Sequence, residues 1–513
     1  MKIGLCCIAK NENRYIREFV EHYKKIGFSQ IFLYDNNDVN GEKFDTVIKD
    51  YIDSSFVNVT NFRGRKLCMF DAYNDCYQKH QDFDWIAFFD CDEFLTLSTT
   101  ENIEQFLLLP CFQKSDVIGI NWMLYGDNDL VYYEDKPLSE RFTKPLDYDF
   151  YLLPNKFENR QFKCIVKTRL NIKYMNPHFP HGIFNATNSI GQYINVLNMW
   201  DYPYVYENAH LKHYRTKTVS EYVEKIVRGY PDIDEQKSKW LFSEDVFFKY
   251  NKRTEEKEKI FRGENQNMDI FICAHKDFVE YPKNDVYKII HGQEKINIPL
   301  TQLQEKIDEH NPLRNKQQLY GEGSRIYHIW KNEQLKDYVG ICHYSRFFDF
   351  YDHIPQMDEI FKEYDIVLPK PWYVGNVYQQ YGMCHNIADL NLIFDIIKLK
   401  FPQYINSAIE TFNSPILFGF NMFIMKKADF IDYCNFVFTI LEDFDKIRLF
   451  TNMTNVEKYI QLNSDKYLKN FSPNNTIEYQ RRMDGFLMER LTNIYIRNKF
   501  KNPKIYNILN INK

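Results

Sequence analysis

The stretch DWIAFFDCDEFL, from Asp84 to Leu95, drives an apolar run into three carboxylates and then turns apolar again. A run without polar interruption reads as a strand covered on both faces. Ligands of open α/β sheets bind beyond the carboxyl ends of such strands. Alternation along an extended strand places Asp90 and Asp92 on one side. Two carboxylates there, with oxygen donors only, suit a hard divalent cation such as Mn²⁺ or Mg²⁺. That ion would bridge a nucleotide diphosphate and neutralise charge on the departing phosphate. The bland alternative is a solvated acidic turn.

Reading outward from this strand, the first half alternates strand and helix. KIGLCCIA is a buried strand, and NENRYIREFVEHYKKIG follows with Tyr15, Ile16, Phe19, Val20, Tyr23 and Ile26 at helical spacing. QIFLYDN and VNVTNF are further strands, with FDTVIKDYI and CMFDAYNDCYQKH as helices. The alternation predicts a mostly parallel sheet with helices on both sides. NKRTEEKEKIFRGENQN breaks the pattern, so residues 251–267 are expected to form a charged linker or bridging helix. MDIFICAH then begins afresh, and YKIIHG, YVGICHYSRFF and YDIVLP supply more strands. Two α/β domains are expected, over 1–250 and 268–513.

The length of 513 residues accommodates both. A formal charge of −5 gives no basic face for nucleic acid. Eleven cysteines without a CxxC pair, and no secretory signal before them, point to reduced thiols in a cytoplasmic protein. No apolar run reaches the length of a membrane span. The chain is expected to be soluble, or at most peripheral at the inner face of the cell membrane through its lysine-bearing C-terminus.

IAKNENRYIREFVEHYKKIGFSQIFLYDNN, DWIAFFDCDEFL, INWMLYG and HLKHYRTKTVSEYVEKIVRG, in that order, resemble the glycosyltransferase family 2-like and family 92-like enzymes. The resemblance implies a GT-A fold, a nucleotide-sugar donor and a divalent metal. Carried over residue by residue, it gives Lys10, Asn11 and Glu12 to the nucleotide cradle and Asp35 to the base or ribose. Asp90 and Asp92 fall to the metal and diphosphate, with His213 closing the metal shell and Lys217 on phosphate. His178 and His181 compete with His213. The base that takes the acceptor proton is sought at Asp127, with Glu207 and Asp245 as others.

ICAHKDF, YVGICHYSRFFDF, YDIVLPKP, FGFNMFIMKKADFIDYCNFVFTIL and RRMDGFLMERLTNIYI resemble DUF4422, a domain classed among glycosyltransferases of polysaccharide biosynthesis. The resemblance implies a second GT-A-like domain and a second sugar-transfer site. His343 and Arg346 end a strand there as catalytic candidates, Arg346 through its fork to a diphosphate. His275 and Lys276 end the domain's first strand and face the donor. His385, Asp389 and Asn421 are further candidates, and Arg482 and Glu489 lie one helical face apart. Ser345 stands where the family's HYRRYF pattern has a second arginine. The whole is expected to be a bifunctional transferase using UDP-hexose, UDP-galactose first, toward a surface polysaccharide or lipid-linked glycan. In the alternative reading, the second half is a non-catalytic acceptor-binding or docking module. A nucleotidyltransferase is disfavoured because no Gly-rich phosphate loop follows the first strand.

Overall fold

The apolar runs that end at Ala9, Asp35, Asn61 and Phe88 pair side by side as β1 (Ile3–Ala9), β2 (Gln30–Asp35), β3 (Val57–Asn61) and β4 (Trp85–Phe88). All three pairings among them are parallel, so their carboxyl ends form one rim. The computed structural model describes residues 1–146, 158–197, 202–229, 242–264, 266–274, 281–282, 284–291, 313, 316–350, 353–468 and 476–511. Contacts divide the chain into two units, Met1–Phe261 and Arg262–Lys513.

In the first unit the sheet continues with β5 (Glu93–Leu97), β6 (Val117–Leu124) and β7 (Phe162–Lys167). After the short strands β8 (Ile172–Tyr174), β9 (Pro180–Gly182) and β10 (Ala186–Thr187) comes β11 (Ala209–His213). The order across the main sheet is β3-β2-β1-β4-β7-β6-β11-β5. Successive side chains of β1 feed opposite faces, as a doubly covered strand requires. Leu5 and Cys7 join Ile16, Phe19, Val20 and Tyr23 of the helix Asn13–Lys25, while Cys6 joins Ala72, Tyr73 and Cys76 of the helix Met69–Lys79. β7 runs antiparallel to β4 with Trp85 opposite Lys167 and Ala87 opposite Ile165. The start of β7 therefore lies beside the end of β4.

Within the stretch read as a charged linker, Glu255–Phe261 is a helix of the first unit. Its Ile260 and Phe261 pack with Val219, Tyr222, Val223 and Phe247. The short apolar pair at the helix end suffices to seat it, because a charged stem is buried alongside: Lys257 is 2% exposed.

The second unit is also α/β. Its strands include β12 (Met268–Ala274), β13 (Tyr287–His291), β14 (Tyr338–His343), β15 (Arg346–Phe348) and β16 (Ile366–Pro369). β17 (Trp372–Tyr373) and β18 (Ile416–Leu417) form a separate ribbon, and β19 (Phe423–Lys426), β20 (Pro503–Tyr506) and β21 (Ile508–Asn510) complete the set. The main order is β13-β12-β14-β19-β16-β20. β13, β12 and β14 are parallel, and β19 is antiparallel to β14. This repeats the relation of β1, β4 and β7. The α/β class expected from the sequence holds for both units. Among the described residues no helix is long and apolar enough to cross a membrane.

Candidate active site

The three acids after β4 are not extended. Glu93 N–H donates to the Asp90 carbonyl at 3.0 Å, closing a turn through Cys91 and Asp92. Alternation therefore does not govern where Asp90 and Asp92 point, which corrects the expectation that they share one side. Glu93 is fully buried, and its Oε2 accepts the Asp90 N–H at 2.8 Å. Burial pushes the Glu93 carboxyl well above the usual range, against the pull of Lys163. Glu93→Gln keeps the shape and the acceptor, so thermal melts are expected to place its stability within about 1 kcal/mol of the parent at neutral pH.

Asp90 and Asp92 each have their own cation. Asp90 Oδ2 lies 2.8 Å from Lys163 Nζ, and its Oδ1 accepts from the Tyr73 hydroxyl at 3.2 Å. Lys163 comes from the start of β7, where antiparallel pairing sets it beside the end of β4. Asp92 Oδ2 lies 3.3 Å from Lys225 Nζ. Burial alone would raise the Asp92 carboxyl, but Lys225 and His213 outweigh it and hold it well below the carboxylate range. Burial lowers Lys225 to about 8, opposed by Asp92.

Lys225 is delivered by the helix Val219–Arg228. A capping box starts that helix: Thr218 Oγ1 accepts the Glu221 N–H, and Glu221 Oε2 accepts the Thr218 N–H. Lys217, just before the cap, has a left-handed φ of 56°. Its Nζ sits 3.6 Å from the Tyr15 ring centroid and 3.6 Å from Glu12 Oε2. Arg228 donates to Glu12 Oε1 at 2.7 Å and to the Lys10 carbonyl at 2.9 Å. The carboxyl ends of β1 and β4 thus share one charged rim holding Glu12, Asp92, Lys217, Lys225 and Arg228.

Other candidates are placed as follows. Lys10 pairs with Asp38 at 3.1 Å, and the Asn11 N–H donates to Asn37 Oδ1 at 2.7 Å. Asp35 is 6% exposed; Arg63 takes its Oδ2 at 2.7 Å, and Asn37 donates twice to Oδ1. Arg63 also reaches the carbonyls of Asp38, Gly41 and Glu42, so Asp35 anchors the loop after β2. Asp127 is enclosed against Lys257 at 2.5 Å and receives the Asp129 N–H, an ion pair in place of the open base expected there. Glu207 is exposed, and Asp245 pairs with Arg253 at the surface.

Asp92 Oδ1 faces His213 Nε2 at 3.7 Å. Burial lowers His213 below its ordinary value, with Asp92 pulling the other way. An oxygen and an imidazole nitrogen in this relation fit a divalent cation. Asp90 does not join them, because the turn aims it at Lys163. Among the described residues no three His, Cys, Asp or Glu groups converge on one ion position. His178 is held neutral by burial at about 3, and its Nδ1 contacts the Phe162 carbonyl at 3.2 Å, a structural role.

In the second unit His343 ends β14, and its Nδ1 lies 3.1 Å from Ser345 Oγ and 3.4 Å from the Arg346 guanidinium. Arg346 stacks on Phe420 at 3.8 Å. His385 stacks on Phe486 at 4.1 Å, and Asp389 is buried with Arg448 at 2.7 Å, so both build the helical core. Glu489 pairs with Arg490 at 3.0 Å, not with Arg482. His275 and Lys276 lie outside the described residues. Lys163, Lys225, Arg228 and Glu322 escaped the sequence reading. A lone lysine inside the apolar strand QFKCIVK, and Lys225 and Arg228 three apart on a helix with a buried face, were the signals available for the first three.

A parallel rim thus gathers acids and cations at the ends of its first and fourth strands. The chain belongs to glycosyltransferase family 92, whose profile matches residues 5–269. The profile of a domain of unknown function, DUF4422, matches residues 269–462. A family 92 protein of Ricinus communis is 29% identical over 109 residues, 20% of this chain and 18% of that protein. One of Oryza sativa subsp. japonica is 28% identical over 112 residues, with the same shares. The chain thus spans under a fifth of the curated relatives it matches. Among solved structures it is similar to the WbbM bifunctional glycosyltransferase in its apo form, at 24% identity and TM-score 0.37, covering 48% of this chain and 46% of that one. It is also similar to TarS of S. aureus in complex with UDP-GlcNAc, at 14% identity and TM-score 0.24, covering 50% of this chain and 78% of that one.

Proposed function

We propose that the first unit transfers a hexose from a nucleotide-sugar donor to a glycan hydroxyl, and that the second unit adds a further sugar. The chain then extends a surface polysaccharide or lipid-linked glycan by two residues in succession, at the cytoplasmic face of the membrane. The observation that carries this reading is the shared rim of Asp92, Lys217, Lys225 and Arg228 at the ends of β1 and β4. Lys217 and Lys225 are placed to meet the charge that develops on a departing diphosphate. Glu12 holds Lys217 and Arg228 in position. Asp92 and His213 would hold a divalent ion, which when bound supplies further charge neutralisation at the diphosphate. Joining two transfer sites in one chain raises the effective concentration of the first product near the second.

The direct test is a panel of nucleotide sugars scored by nucleotide release, with and without Mn²⁺. UDP-galactose is expected to be turned over, with release falling when the metal is chelated. If chelation leaves release unchanged, Asp92 and His213 hold no ion.

A further inference from the structure

The second unit gathers a constellation that its strand ends alone did not reveal. β19 pairs antiparallel with β14, with Ile341 opposite Phe423. Asn421 lies two residues before Phe423, at the entry to β19. Phe420 and Asn421 turn there in left-handed backbone, with φ of 66° and 50°. The turn is held at both residues. The Phe420 N–H donates to Glu489 Oε1 at 2.8 Å, and Asn421 Nδ2 donates to Glu322 Oε1 at 3.0 Å. Non-glycine residues in such backbone persist where surroundings over-determine them, and they cluster at functional sites.

The two glutamates differ in how they are used. Both oxygens of Glu489 are engaged, by Phe420 and by Arg490. Glu322 is half-buried, and Asn421 occupies one oxygen; Oε2 accepts no hydrogen bond among the described residues and is not enclosed. Burial, followed by the neighbouring Glu489 charge, raises the Glu322 carboxyl above its ordinary value. Arg346 stacks on the Phe420 ring of this turn, and no carboxylate lies within ion-pair distance of it among the described residues. The turn thus carries a guanidinium against the ring of Phe420 and a carboxylate with a spare oxygen on the side chain of Asn421.

We infer that Glu322 is the proton acceptor of a sugar-transfer site in the second unit, with Arg346 as its anion-binding group and Glu489 as the residue that positions the Phe420–Asn421 turn. This rests on the reading of that unit as a transferase. The substrates are a nucleoside-diphosphate sugar and a sugar hydroxyl. As the hydroxyl oxygen bonds to the anomeric carbon, its proton passes to Glu322 Oε2. The carbon–oxygen bond to the diphosphate breaks, and the electron pair leaves on the diphosphate, whose added charge meets Arg346.

The test uses the full chain carrying Asp92→Asn, which silences the first unit, and a set of UDP-, GDP- and dTDP-hexoses with monosaccharide acceptors. Nucleotide release that persists in this background is expected to vanish with Arg346→Ala. Glu322→Gln keeps the acceptor for Asn421 and is expected to keep donor affinity within about threefold while lowering release by about 10²-fold or more. Glu322→Asp, which retains a carboxylate, is expected to recover part of the rate; matched thermal melts exclude misfolding. If Glu322→Gln turns over like its parent while Arg346→Ala is dead, the second site stands and the role of Glu322 falls. If no donor is bound or turned over and Arg346→Ala changes nothing, the transferase reading of the unit falls, and this inference with it.

Discussion

Asp92→Asn is expected to lower nucleotide release by the first unit on the order of 10²- to 10³-fold, the scale of losing one preorganised charge contact at a developing anion. The substitution is isosteric and leaves an amide oxygen for Lys225, so the fold is retained. What disappears is the charge that Lys225 and His213 hold in its ionised form. The loss should appear in turnover with the best donor of the panel, scored in the Arg346→Ala background so that only the first unit reports. Release within threefold of that parent would place the chemistry elsewhere on the rim.

Arg141→Ala is expected to cost about 3–5 kcal/mol of stability, because it strands a buried carboxylate. Arg141 and Glu221 are 1% and 2% exposed at their side chains, and the guanidinium binds both oxygens, at 2.8 and 3.2 Å. Tyr15 donates its hydroxyl to the same carboxylate. Burial alone would raise Glu221, yet Arg141 and the other donors bring it down to about 2 from 4.5. The folded value lies below the unfolded one. Its contribution is therefore complete above about pH 4.5 and is lost as pH falls toward about 2, roughly 3 kcal/mol in all. Denaturant titrations across that window should show the parent weakening on acidification. Arg141→Ala should be weaker at neutral pH with a flatter acid limb.

How much of this was legible can be argued residue by residue. KIGLCCIA, QIFLYDN, VNVTNF and DWIAFFD each became a strand of the parallel rim, because unbroken apolar runs have few other homes. The place of Asp90 and Asp92 followed from the same runs. Their orientation did not, since it depends on one backbone hydrogen bond that replaces pleat with turn. Their partners were hidden by separation in the chain. Lys163 meets Asp90 through an antiparallel pairing, and Lys225 meets Asp92 from a helix 133 residues away. Glu322 was invisible because its neighbours Asn421 and Glu489 are supplied by distant segments. The helix Glu255–Phe261 was obscured because much of its anchoring is a lysine, which a hydrophobic pattern counts as surface.

That lysine decides where the molecule can be cut. Asp127 sits 5% exposed at its side chain, with Lys257 as its counter-charge. A fragment stopping at Tyr250 would keep the anion, discard its cation and bare the apolar seat of Ile260 and Phe261. Such a fragment should come out insoluble or proteolysed, whereas one reaching Phe261 keeps both the counter-charge and the apolar seat.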